Sequence, residues 1–548
     1  PWSTPVTQTT TAIFGPDAYR TGFEATAGQE WTTYEEELAI ATGIAAASDR
    51  VRVETIAETV QDRDVQMYVI SEGTPGTPAQ IAEEGAVLVA CGVHGREPSA
   101  REGCMLLARE LAFSDDAWVT DLLADTTVLI VPNLSPDGRA NNTRENSRDV
   151  NLNRDHLVLA EAETTGMAHV LRDYRPRVVV DGHEYQNPDT GDFPVMWPRH
   201  PNTDAGLYEM SQDDLVLDRF FGSASDAGWS RVPYPLNPQG DGTLTNTLGL
   251  KHAVGLLVEV RMEGGPSRPA EGSIHSAANK RRKSYQQLWA FREVLRYYDD
   301  ERAEVDAAVA AAEAAAPIAT GPLAVDGLVD PPSSPPPSQP STIVLDPAPA
   351  CYYLTDAQMT AVPVDTPSIG SRLDSHGITT QPVEGGIVVP LAQRLRGTIP
   401  LLLDPQAIHG MTPATRLADC ADVPEPVEGD VVSTSFADAV IGLPPAGWTS
   451  TWNPSSFAVA DNPRRLVHTS TGGGRKLLAW DTPGVVEGVG EAQPRRDVVL
   501  VDRVVAAPVV EGVVLVGGRH DLHVVPQAQA QGCPVVDLPL VLRERPDQ

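Results

Sequence analysis

The stretch "VACGVHGREPSARE", residues 89–102, sets a histidine and a glutamate three positions apart, between an apolar run and an amphipathic one. "AVLVAC" (86–91) reads as a buried strand ending at Gly92. "PSAREGCMLLARELAF" (98–113) reads as a helix opened by Pro98, whose missing N–H costs nothing in a first turn. His94 and Glu97 then lie on the turn at the carboxyl end of a strand, which is where open α/β sheets bind ligands. A His-x-x-Glu pair arises by chance about once in a chain of this composition, so its meaning depends on ligands elsewhere.

Three more apolar strands end in polar residues. "TTVLIVPN" (126–133) runs into "LSPDGRANNTRENSRDVNLNRD" (134–155), "RVVVDGHEYQ" (177–186) puts His183 just past an apolar run, and "AVGLLVEVRMEGG" (253–265) puts Glu259 inside one. Burying an unpaired carboxylate costs several kcal/mol, so Glu259 marks either an ion pair or a functional site. Arg261, two residues along a strand, shares its face.

Two neutral imidazoles and one carboxylate fill three positions of a catalytic zinc and leave the fourth for water. A separate carboxylate must then take the water's proton and pass it to the leaving amine, and Glu259 is the best placed. Asp181, just before His183, is suited to orient an imidazole from behind. Arg144, Arg148 and Arg154, interleaved with Asn146, Asn151 and Asn153, read alone as a solvated loop. Beside a metal, one guanidinium can steady an oxyanion, and another, with an Asn amide, can grip a substrate carboxylate.

In this order the segments resemble the zinc carboxypeptidases of the carboxypeptidase A type, over about residues 33–300. "GVHGRE" is similar to the family's zinc motif, "PNLSPDG" to its Asn-Pro-Asp-Gly turn, "RENSRDVNLNRD" to its Arg-x-Asn…Asn-Arg segment, "DGHEY" to its third-ligand strand and "VEVR" to its catalytic glutamate strand. The resemblance implies one Zn2+ held by His94, Glu97 and His183, with Glu259 as base and acid and Arg144 on the carbonyl. Asn153 and Arg154 would hold a terminal carboxylate, and Arg96 stands where the family often keeps a subsite arginine. Two departures stand out. The family's mobile tyrosine has no secure counterpart, Tyr234 being the nearest, and Asn151 replaces the usual Asp. The residue that sets side-chain preference cannot be placed.

The expected fold is α/β, a mixed, mostly parallel sheet flanked by helices, followed by a small α+β module and an all-β module. The expected boundaries are an N-terminal arm at 1–32, the catalytic domain at 33–318 and a Pro/Ser-rich linker at 319–342 containing "VDPPSSPPPSQPST". The α+β module then covers 343–422, and a β-rich module 423–548. The last resembles the opening of a laminin-G or concanavalin-type sandwich, which would dock on glycans or a cell wall.

Acidic residues outnumber basic ones, 74 to 41, and a net charge of −33 repels phosphate backbones, so nucleic acid is an unsuitable partner. No apolar run is long enough to span a bilayer. The five cysteines show no C-x-x-C spacing, which argues against a disulfide framework or a cysteine zinc knuckle and leaves room for one bridge within 351–420. The opening "PWSTP" has no signal-peptide pattern. The expectation is a zinc metallocarboxypeptidase acting on C-terminal or cell-wall stem peptides, extracellular, either secreted or virion-associated. The alternatives are a virion tail or surface-binding protein built on the same fold, and a zinc amidase or deacylase.

Overall fold

Four continuous apolar runs, β3 (Ala86–Cys91), β4 (Thr127–Val131), β5 (Val178–Tyr185) and β8 (Val254–Arg261), form the middle of an eight-stranded sheet. In this computed structural model residues 16–424 are described, apart from 187–190, 235–239, 264–272, 328–342, 361–365 and 409, and beyond them six short strands between 448 and 526. The sheet order is β1 (Val51–Glu58), β2 (Asp64–Ile70), β4, β3, β5, β8, β6 (Phe193–Met196), β7 (Arg231–Pro233). The β4–β3–β5–β8 core is parallel throughout, and β6–β7 is a further parallel pair. The β1–β2, β2–β4 and β8–β6 pairs are antiparallel, so the sheet is mixed and mostly parallel, as expected.

Continuous apolar runs are required because both faces are covered. Alternate residues of β3 divide between two cores: Val87, Val89 and Cys91 face one, Leu88 and Ala90 the other. The first core is closed by α1 (Tyr34–Ala47), α2 (Pro98–Phe113) and the long α6 (Ala277–Ala315), through residues such as Ile44, Leu107 and Phe291. The second is closed by α4 (Ala162–Asp173) and α5 (Leu244–Leu250), through Leu171 and Leu248. In α1 a reciprocal capping box, Thr33 with Glu36, satisfies the first-turn donors. Strands β6 and β7 escape a sequence reading, because four and three residues, each with a proline, are too few to show a period.

The turn after β3 lies flush on α3 (Pro136–Asn141). Gly92 has φ +69°, and a Cβ on Gly95 would fall 1.9 Å from the Gly138 carbonyl carbon. Only glycine permits this approach. A disulfide, Cys91–Cys104, ties the end of β3 to α2 across this turn. A second, Cys351–Cys420, falls in the region where one bridge was expected, whereas residue spacing gave no sign of the first.

Residues 343–354 and 369–423 belong with the first domain in one compact unit, and 355–368 with 424–548 form another. In the first unit, strands β9 (Cys351–Thr355), β10 (Gln381–Val383), β11 (Gly386–Pro390) and β12 (Thr415–Leu417) make a four-stranded sheet ordered β10-β11-β9-β12. Helix α7 (Ile369–His376) docks on α4, with Ser375 Oγ 2.9 Å from His169 Nε2 and Asp374 3.1 Å from Arg172. In the second unit the strand pairs Trp448–Ser450 with Leu478–Trp480, Phe457–Asp461 with Arg464–His468, and Val513–Gly517 with Leu522–Pro526 are antiparallel. The expected sandwich, the 328–342 part of the linker and residues 1–15 of the arm otherwise lie outside the described residues. Among the described residues, no helix is long and apolar enough to cross a membrane.

Cross-linking two residues 13 apart removes about 3 kcal/mol of loop-closure entropy from the unfolded chain. The double substitution Cys91→Ala with Cys104→Ala is expected to lower the urea-unfolding free energy by about that amount. An unchanged midpoint would show that the bridge does not constrain the unfolded state.

Candidate metal centre

Register fixes the site. In the parallel β5–β8 pair, His183 stands opposite Glu259 and Asp181 opposite Leu257, so Asp181, His183 and Glu259 project from one face at the carboxyl end of the sheet. The β3–α2 turn brings His94 and Glu97 to the same end. Glu97 occupies the N-cap position of α2, yet its side chain makes no cap bond. Its carboxylate reaches both histidines instead, Oε1 lying 2.9 Å from His94 Nδ1 and Oε2 3.0 Å from His183 Nδ1. Glu184 supplies the missing cap by accepting from Ser99 N at 2.7 Å, and its own N–H donates to Glu97 Oε2 at 3.2 Å.

The ligand atoms of His94, Glu97 and His183 lie within 4.8 Å of one another, and all three residues are buried. Among the described residues no other cluster of three such side chains could hold a metal. Each ring is oriented from behind, Asn151 Oδ1 lying 3.1 Å from His94 Nε2 and Asp181 Oδ2 3.1 Å from His183 Nε2. With an ion bound, these acceptors would keep a proton at Nε2 and turn the Nδ1 lone pairs to the centre. Gln287 of α6 holds the His183 carbonyl at 2.6 Å.

The electrostatics ask for positive charge at this point. Burial opposes ionisation of Glu97, but the two imidazoles hold its carboxyl well below the usual range. Burial likewise opposes protonation of His183, yet Asp181 and Glu97 on either side raise it well above the ordinary value. His94 is pushed down, first by burial. A divalent ion would meet the same demand without protons, and two imidazole nitrogens with a carboxylate are a donor set that suits zinc. Glu259 is 8% exposed, and its Oε2 has no hydrogen-bond partner. Burial, with a contribution from Glu97, lifts its carboxyl to about 8 despite the opposing pull of His183.

The other expected residues are placed as follows. Arg144 Nη1 lies 3.1 Å from His94 Nδ1 and 3.2 Å from Glu97 Oε1. Arg154 donates to the Asn153 carbonyl at 2.5 Å, and the nearby Arg144 and Tyr234 both act on its charge. Asn153 is turned inward, its Nδ2 3.2 Å from His183 Nε2 and its Oδ1 accepting from Leu244 N at 2.9 Å. Tyr234 does reach the site: its hydroxyl is raised by burial and by Glu259, and its ring meets Tyr185 edge to face at 5.3 Å. Arg96 is exposed between the two ligands. Arg261 does not serve Glu259; it pairs with Asp192 at 3.2 Å. Sequence reasoning gave no role to Asn151, Glu184 or Gln287. For Asn151 a signal existed, since it stands where the resembling family has Asp.

Residues 39–189 match a family model described as zinc carboxypeptidase. Carboxypeptidase 2 of Trichophyton rubrum is 32% identical over 94 residues, which is 17% of this chain and 17% of that protein. Probable carboxypeptidase 2 of Trichophyton verrucosum is 27% identical over 153 residues, covering 26% and 29% of the two chains. The chain thus spans less than a third of the length of these curated relatives. A solved metallo-carboxypeptidase from Burkholderia cenocepacia is 19% identical, with a TM-score of 0.40, over 48% of this chain and 69% of that one. The segment that matches this family model carries His94, Glu97, Arg144, Asn153, Arg154 and His183.

A ligand that binds only the folded state at a thousand times its Kd stabilises by about 4 kcal/mol. Zn2+ in such excess is expected to raise the melting temperature of the parent and not of His183→Ala; equal shifts would place the ion elsewhere. In the metal-free protein, the unfolded Glu259 carboxyl ionises near 4.5 while the folded one keeps its proton to about 8, so stability falls as pH rises through that window. Glu259→Gln is therefore expected to stabilise the metal-free protein at pH 8.5 by up to about 5 kcal/mol and at pH 5 by less than about 1 kcal/mol. A pH-independent difference would refute the buried carboxyl.

Proposed function

We propose that this chain is a zinc metallocarboxypeptidase that cleaves the last bond of a peptide bearing a free C-terminal carboxylate. The observation that carries the reading is Glu259, a buried carboxylate without a partner at Oε2, in register with His183 on one sheet face. Such a group is costly to keep unless chemistry uses it.

A zinc ion held by His94, Glu97 and His183 would supply a water whose pKa is lowered toward neutrality and would polarise the scissile carbonyl. Glu259 Oε2 accepts the proton of the attacking water and returns it to the leaving amine. Arg144, less buried than the ligands and already at the centre, steadies the oxygen that gains negative charge. Arg154 grips the terminal carboxylate, with the Asn153 amide beside it anchoring the turn that presents it. Asp181 and Asn151 hold the histidine rings in their ligating tautomers. Arg96, on the open side of the turn, is suited to contact substrate further from the cleaved bond.

Two disulfides support an extracellular place of action, since such bonds persist in oxidising compartments. There, cell-wall stem peptides as well as free peptides offer the required carboxylate.

The test is hydrolysis of a peptide panel that includes stem peptides, alongside the same peptides with amidated C-termini. The parent should release C-terminal residues only from the free acids. Glu259→Gln should lose about a thousandfold in kcat while retaining its zinc. Arg154→Met should raise KM roughly thirtyfold. Equal cleavage of acids and amides would point to an amidase, and zinc without turnover on any member would leave a binding protein.

A further inference from the structure

Residues 369–398, in the same compact unit as the first domain, hold two segments of that domain by their backbones. Both segments converge on Asn153 and Arg154. The first segment follows Arg154 directly. There Arg372 Nη1 donates to the Val158 carbonyl at 3.1 Å, and His376 Nε2 lies 2.8 Å from the Leu157 carbonyl. Both side chains come from α7 and are buried. The turn they hold is tight. Asp155 accepts from Ala160 N and Glu161 N at 3.0 and 2.9 Å, and Leu159 has φ +54°, a left-handed conformation that a leucine rarely keeps without support.

The second segment is the end of α5. Thr398 Oγ1 donates to the Leu250 carbonyl at 3.1 Å, and Arg394 Nη1 to the Lys251 carbonyl at 3.2 Å. The other end of α5 carries Leu244, whose N–H binds Asn153 Oδ1. Just before it, the Gly242 carbonyl accepts from His156 N at 3.2 Å, and a Cβ on Gly242 would fall 2.5 Å from the Arg154 carbonyl oxygen. Asn153 and Arg154 are therefore wedged between two segments, each fastened to residues 369–398.

We infer that the 369–398 segment is a working part of the peptidase site, and that Arg372 and His376 are positioning residues for the Asn153–Arg154 clamp. They act on recognition of the substrate's terminal carboxylate and not on the metal or the bond-breaking step. Shifting a guanidinium by about an ångström costs a bidentate contact much of its strength, whereas His94, Glu97, His183 and Glu259 are set by the sheet and α2, which the 369–398 segment does not hold by these bonds. This inference rests on the peptidase reading above.

The test uses the full chain with zinc and three variants: Arg372→Met and His376→Leu, which remove the donors, and His376→Gln, which keeps one. Steady-state kinetics on a blocked dipeptide with a free carboxylate are read beside zinc affinity by chelator competition and hydrogen exchange at the amides of 152–160. The first two variants should raise KM about tenfold, with kcat within about twofold of the parent, zinc affinity unchanged and faster exchange in that loop. His376→Gln should stay near the parent. Should the buried substitutions prevent folding, Thr398→Val at the other segment is expected to raise KM about threefold. An unchanged KM in folded variants overturns the inference, as does a loss of kcat and zinc affinity in proportion to KM. If the parent cleaves no peptide, the peptidase reading fails by itself. Loop exchange in Arg372→Met then decides the positioning role: faster exchange upholds it and unchanged exchange removes it.

Discussion

Three carboxylates, Glu97, Asp181 and Glu259, are buried together at the carboxyl end of an apolar sheet, with His94, His183 and Arg144 to answer them. Charges withdrawn from water must be neutralised, and without an ion this cluster does so by binding protons, which is why His183 is raised and Glu259 stays protonated near neutrality. A divalent cation replaces those protons with a charge placed equally well. Much of the surrounding architecture holds these groups close enough for that exchange.

The holding is divided among elements. The sheet sets His183 against Glu259 by register, a relation that a slip of one residue would reverse by turning either side chain to the other face. The β3–α2 turn brings the other two ligands over. It is kept low by Gly95 against Gly138 and closed by Cys91–Cys104. Helix α6 supports the third-ligand strand twice, through Gln287 on the His183 carbonyl and Lys283 on the Glu184 carboxylate. Because Glu184 caps α2, Glu97 is released from that duty and can turn to the histidines.

Much of this could be read from residue order. The central strands were legible because burial on both faces forces unbroken apolar runs, and the polar residues at their ends stood out against that background. Asn151 was visible only as a departure from a pattern, and its role behind His94 required the ring's orientation. Arg261 shares a strand face with Glu259, but which carboxylate it pairs with is visible only once β6 lies beside β8 and brings Asp192 to 3.2 Å from it.

The sequence by itself determined the chemistry available: which strands are buried, which imidazoles and carboxylates sit at their ends, and the order in which they come. Those features follow from local rules, the period of a strand and the cost of burying charge. Only the tertiary structure decided that Asn153 faces inward between His183 and Leu244, that Cys91 meets Cys104, and that α7 grips the backbone next to Arg154. These contacts join residues far apart in the chain through carbonyls and N–H groups that every residue carries, so no side-chain pattern announces them.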